Sequence, residues 1–125
     1  MDQVQFVRET WEAISHGDLK PLEAALAPDA KWRAVVDGPW NCENRDAILD
    51  VMGGNVRRGL AGQIDDVFVA GERVVVAFRP DHHEPGAWPL DDGVRYVVLT
   101  IRGDLVTEMK GCADRRTALE YAEPS

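Results

Sequence analysis

The sequence predicts an α+β domain in which three N-terminal helices pack on one face of a curved, mainly antiparallel sheet. Three observations point there. Over residues 4–26 and 48–56 apolar side chains recur at spacings of three and four, with an alternating stretch at 30–36 between them, and from Gln63 onward the pattern turns to strands. Two pairs of strands are each joined by two residues beginning with glycine, Gly71-Glu72 and Gly103-Asp104, which suits type II′ hairpins. A chain of 125 residues without internal repeats, low-complexity tracts or a Ser/Gly linker reads as a single domain, 1–125.

Each element has its own signal. Val4, Val7, Trp11 and Ile14 mark one face of a first helix, which His16 and Gly17 end. Asp18 caps a second, short helix with Leu19, Leu22 and Leu26 on its inner stripe, broken by Pro28-Asp29. Residues 30–36 alternate, with Trp32, Ala34 and Val36 on one side and Lys31 and Arg33 on the other. After a turn at Asp37-Gly38-Pro39, Asn44 caps a third helix carrying Ile48, Met52 and Val56, with Gly53-Gly54 weakening its second half. Hairpin strands follow at 63–70 and 73–80, then at 94–102 and 105–112. The long segment between the hairpins reads as a loop, and Asp114 caps a closing helix over 115–122.

Composition excludes several functions. With 14 Lys and Arg against 22 Asp and Glu, the net charge of −8 repels nucleic acid and anionic lipid. No apolar run approaches the ~18 residues of a membrane span. The start, MDQVQFVRET, lacks the basic-then-apolar order of a secretory signal, so a cytoplasmic protein is expected. Cys42 and Cys112 form neither a disulfide framework nor a zinc spacing. His82-His83-Glu84 lacks a third ligand at metal spacing, and neither metal nor other cofactor is expected.

The second hairpin sets the expected inside. A two-residue turn at Gly103-Asp104 places Ile101 opposite Val106, Leu99 opposite Glu108 and Val97 opposite Lys110, a face that also carries Arg95. The other face, with Val94, Tyr96, Val98, Thr100, Thr107, Met109 and Gly111, has no charge and is expected to lie against the helices. The charged face remains too aliphatic for open water, so a homodimer contact is expected there. In the first hairpin, Val67, Val69, Val74, Val76 and Phe78 share one face, together with Asp65.

Five phrases in order, SHGDLKPLEAALAPDAKW, NRDAIL, GERVVVAF, GVRYVVLTIRGDLVTEM and an Asp before a closing helix, resemble the SnoaL-like branch of the nuclear transport factor 2-like superfamily, which includes ketosteroid isomerases. The resemblance covers nearly the whole chain. It implies a cone-shaped α+β barrel enclosing a deep pocket, usually in a homodimer, and no particular reaction. The catalytic set of the ketosteroid isomerases carries over poorly: Thr10 stands at the phenol position, Ala34 at the base position, and residues 94–102 hold no Asp or Glu. Against the branch similar to limonene epoxide hydrolase, Trp40-Asn41 matches a Tyr/Asn pair and Asp114 a carboxylate position, whereas Arg102-Gly103-Asp104 falls in a hairpin turn.

The expected ligand is a small apolar or aromatic molecule. Trp11, Trp32, Trp40, Phe78, Tyr96 and Met109 are candidate lining residues, although indoles in so small a domain equally serve as core. Tyr96, Asp65 and Asp114 are candidate proton carriers for metal-independent isomerisation, cyclisation or hydrolysis, with Asp114 also read as a plain helix cap. Arg57-Arg58 suits a helix C-terminus or an anionic group at a cone mouth. The rival class is a non-catalytic binding or dimerisation module whose cone is filled by its own side chains.

Overall fold

The computed structural model describes residues 2–35, 41–57, 63–79 and 94–123. Its elements run α1 (Gln3–Ser15), α2 (Lys20–Ala25), β1 (Leu26–Arg33), α3 (Arg45–Arg57), β2 (Gln63–Ala70), β3 (Arg73–Arg79), β4 (Arg95–Arg102), β5 (Leu105–Cys112) and α4 (Arg115–Ala122). The five strands form one sheet in the order β1-β5-β4-β3-β2, antiparallel except where β1 runs parallel to β5.

Local chemistry accounts for the boundaries. Asp2 caps α1 by accepting from the Gln5 amide at 2.8 Å, and Asn44 does the same for the Ala47 amide at 2.9 Å. Gly17 follows α1 with a φ of +83°, which a side chain would strain. Gly71 and Gly103, at +62° and +64°, lead their two-residue turns as the hairpin reading requires. The second helix stops one residue earlier than its apolar stripe predicts, because Leu26 pairs with Val106 as the first residue of β1. Pro28 is accommodated inside β1 because this is an edge strand, where a missing N–H breaks no second ladder.

The inside of the sheet is the reverse of the face expected from charge. Ile101 does pair with Val106, but a bulge follows, so that Thr100 pairs with Glu108, Leu99 with Met109 and Val97 with Gly111. One extra residue on β5, Thr107, exchanges the faces of everything beyond it. Arg95, Val97, Leu99 and Ile101 therefore share a face with Met109, and Val97, Leu99, Val106 and Met109 join Val7, Trp11, Ile14, Leu22 and Ile48 in the core beneath α1–α3. These aliphatics are core, not a subunit contact. Tyr96 and Val98 turn the other way and pack with Val75, Ala77, Cys112, Ala118 and Ala122 under α4. This second face also carries Glu108 and Lys110, paired with Thr100 and Val98, and α4 covers its apolar part.

In the first hairpin, Val67, Val74, Val76 and Phe78 face the N-terminal helices as one set. A bulge between Ile64 and Asp66 lets Ile64 pair with Phe78 on that side, and Asp65 stands exposed. A clasp holds α4 down. Arg73 donates from Nε to Thr100 Oγ1 at 3.0 Å and from Nη1 to the Ala122 carbonyl at 3.3 Å, and its guanidinium lies 5.6 Å from the Tyr121 ring centre. Tyr121 donates its hydroxyl to Glu108, and Arg115 stacks 4.4 Å above Phe68.

Candidate functional site

The helix-facing wall of the sheet is built in rows, because Cα partners on neighbouring strands point the same way. The first row is Trp32, Met109, Leu99 and Val74 across β1, β5, β4 and β3. The second is Gly111, Val97, Val76 and Val67, and the third is Arg95, Phe78 and Ile64. Gly111 brings no side chain to the second row, and Ala34, just past β1, brings only a methyl group. This row therefore has little side-chain bulk beside Val97, with Trp32 and Met109 in the row on one side and Arg95 and Phe78 in the row on the other. Trp11 from α1 packs into the same core, and Val35, Met52 and Val56 add partly buried apolar surface.

Arg95 is the unusual member of this wall. It is 4% exposed, and among the described residues the other buried polar or charged side chain is Thr10. The Thr10 hydroxyl is engaged within its own helix, donating to the Phe6 carbonyl at 2.9 Å. At the opposite end of β4 from Arg95, Gln3, Phe6, Ile101, Gly103 and Asp104 line an open cleft of about 340 Å³.

The sequence candidates divide between two places. Trp11, Trp32, Phe78 and Met109 come together beneath α1–α3. Tyr96 does not join them: it is buried on the α4 side, so it and Met109 lie on opposite faces of the sheet. Asp65 is exposed and pairs with Arg79 at 3.4 Å. Asp114 caps α4, accepting from the Thr117 amide at 2.7 Å, and that bond together with the Thr117 hydroxyl holds its carboxyl below the usual range. Trp40, Arg58 and the His82-His83-Glu84 run lie outside the described residues. Burial pushes the Cys112 thiol up to about 11 and raises Cys42 as well, so both stay protonated at neutral pH.

A family model described as the SnoaL-like domain matches residues 7–109. The chain belongs to the SnoaL-like domain family. No curated protein matches it. Solved structures share the fold at low identity. A candidate polyketide cyclase from Sinorhizobium meliloti is 18% identical with a TM-score of 0.67, over 86% of this chain and 93% of that one. A protein of unknown function with a cystatin-like fold from Xanthomonas campestris is 15% identical with a TM-score of 0.67, over 98% of each chain. A de novo designed protein with a curved β-sheet reaches a TM-score of 0.66 at 15% identity, over 93% of this chain and 90% of that one.

In this SnoaL-like domain, sequence reasoning missed two things. Alternation on β4 alone turns Arg95 outward, and the signal against it is the unbroken apolar run of β3 and β4, from Val74 to Phe78 and from Tyr96 to Leu99. Strands covered on both faces lose alternation, so an Arg among them is not outward by default. A second Arg-x-Asp, Arg79-Pro80-Asp81, begins at the last residue of β3; Arg79 holds Asp65, and Asp81 lies outside the described residues.

Proposed function

We propose that this single SnoaL-like domain is a small-molecule pocket protein that receives an apolar or aromatic ligand between α1–α3 and the inner wall of the sheet. The observation that carries the reading is the composition of the wall: Trp32, Met109, Val97 and Phe78 stand in and beside the row of Gly111, with Arg95 in the next row. Ligand sites are mostly apolar, with few and well-placed polar groups, and this wall has that composition.

Catalysis is the narrower form of the proposal. It would be metal-independent acid/base isomerisation, cyclisation or hydrolysis, for which a proton carrier must reach the ligand. Tyr96, Asp65 and Asp114 remain the candidates for it, but Tyr96 packs under α4, Asp65 is in an exposed ion pair and Asp114 is a cap. Their positions favour binding over turnover. A second reading, a module with a filled cone, draws support from the near-complete burial of Ile14, Leu22, Ile48 and Leu99.

A homodimer in the cytoplasm completes the proposal. Family resemblance supports the dimer, whose contact now has to lie outside the Val97–Val106 face, which is core. Cys42 and Cys112, both buried as thiols, suit a reducing compartment. Native mass spectrometry of the purified protein tests the set at once: a dimer retaining a small molecule is expected, and a bare monomer under gentle conditions would contradict it.

A further inference from the structure

We propose that two copies of this chain associate edge to edge, by antiparallel pairing of β2 with β2 of the second copy about a twofold axis at Phe68. This rests on the homodimer reading above and assigns its contact.

Most of the sheet is already covered. The helices α1–α3 lie on its inner face and α4 on the apolar part of the other. A bare sheet edge is a template for another strand, and proteins blunt such edges with proline, charge or a covering segment. The β1 edge carries all three. Pro28 lies within it, Trp32 exchanges both backbone hydrogen bonds with Cys42 at 2.9 Å, and Lys31 and Arg33 hold Glu43 at 3.4 and 3.0 Å. The β2 edge has little of this. Its sequence, QIDDVFVA, contains no Pro, Lys or Arg, and among the described residues no strand pairs with its far side. Its two acids are each balanced by an arginine, Asp65 by Arg79 and Asp66 by Arg115. Val69 is 55% exposed there, the most exposed large hydrophobic among the described residues.

Register selects a second copy as the occupant. Ala70 and Arg73 flank a two-residue turn and so bond each other, which points the backbone N–H and C=O of Val67 and Val69 away from β3. A twofold axis at Phe68 sets Val67 of each copy against Val69 of the other, for about four backbone hydrogen bonds. Each Val69 then gains an apolar neighbour, and the two Phe68 rings meet across the axis. Asp66 falls opposite Ala70, so no carboxylate faces another. An axis at Val67 would instead set Val69 against Asp65. The bulge beside Asp65 and the turn at Gly71 limit the ladder to residues 66–70. That is far fewer than the ~20 residues a side of a stable interface, so dissociation at about micromolar concentration is expected.

Sedimentation equilibrium of the wild-type chain should show a reversible dimer. Val69→Lys, at an exposed position that the fold tolerates, sets a charge against Val67 of the other copy and should weaken association about a hundredfold. Phe68→Cys should cross-link to itself when oxidised with diamide, because the two positions meet on the axis, whereas Val69→Cys should not. The native thiols of Cys42 and Cys112 are buried and stay out of that reaction. A wild-type chain that stays monomeric at high micromolar concentration overturns both this inference and the homodimer reading. A dimer that persists in Val69→Lys overturns the edge contact and leaves the homodimer standing. So does a dimer in which Phe68→Cys fails to cross-link, or in which Val69→Cys cross-links equally. Should Val69→Lys fail to fold, as judged by circular dichroism, the two cysteine variants decide alone.

Discussion

At the scale of single residues, small differences in what a side chain touches decide its role. Asp114 could have been a proton carrier or a cap, and its carboxylate is occupied by the Thr117 amide. The consequence has a sign. Because the folded state holds this carboxyl below its usual range, its stabilising effect is present above about pH 4 and is lost as pH falls through the lower folded value. Asp114→Ala should therefore lower the melting temperature at neutral pH, and the gap from wild type should shrink steadily in acid. Thermal melts of both proteins across that range check it, and a gap that stays constant down to about pH 2 would show that the charge is irrelevant. The capping role was legible in the sequence, since Asp favours that position whatever the fold. The interior place of Arg95 was legible only in part: the lost alternation of β3 and β4 removes the expectation of an outward charge without saying which face meets the N-terminal helices.

At the scale of elements, the helical periodicities held and the registers of both hairpins did not, each shifted by one bulge. The glycine-led turns, the Asn44 cap and the apolar stripes of α1 and α3 follow from local chemistry, which the sequence displays directly. The bulge at Thr107 leaves no such trace: Thr pairs or bulges with equal ease, yet its position moves Met109 to one side of β5 and Glu108 and Lys110 to the other. The docking of α4 was equally hidden, because its anchors Arg73 and Glu108 are distant in sequence from Tyr121. That clasp makes a prediction. Tyr121→Phe removes the donor to Glu108 and should destabilise the protein by about 1 kcal/mol in urea unfolding. Burial and the Glu108 contact push the Tyr121 phenol up to about 12, so its contribution is complete below about pH 10 and fades as pH climbs toward that folded value. An equal alkaline loss in Tyr121→Phe would place the effect on another group.

At the scale of the whole molecule, the sheet is covered twice, by α1–α3 on one face and by α4 on the other. This explains why charge failed as a guide to the interior: each face carries charge beside buried aliphatics, Arg95 on one and Arg73, Glu108 and Lys110 on the other. It also leaves little of the middle of the sheet for a partner subunit, while Val69, 55% exposed on the edge strand β2, remains in water. Among the described residues no helix is long and apolar enough to cross a membrane. The two faces can be told apart in solution by methyl-labelled NMR during a titration with N-phenyl-1-naphthylamine. The methyl signals of Val97, Leu99 and Met109 should shift together, while those of Val75 and Val98 stay in place. Shifts confined to Val75 and Val98, or a spectrum that does not respond at all, would contradict a ligand chamber beneath the N-terminal helices.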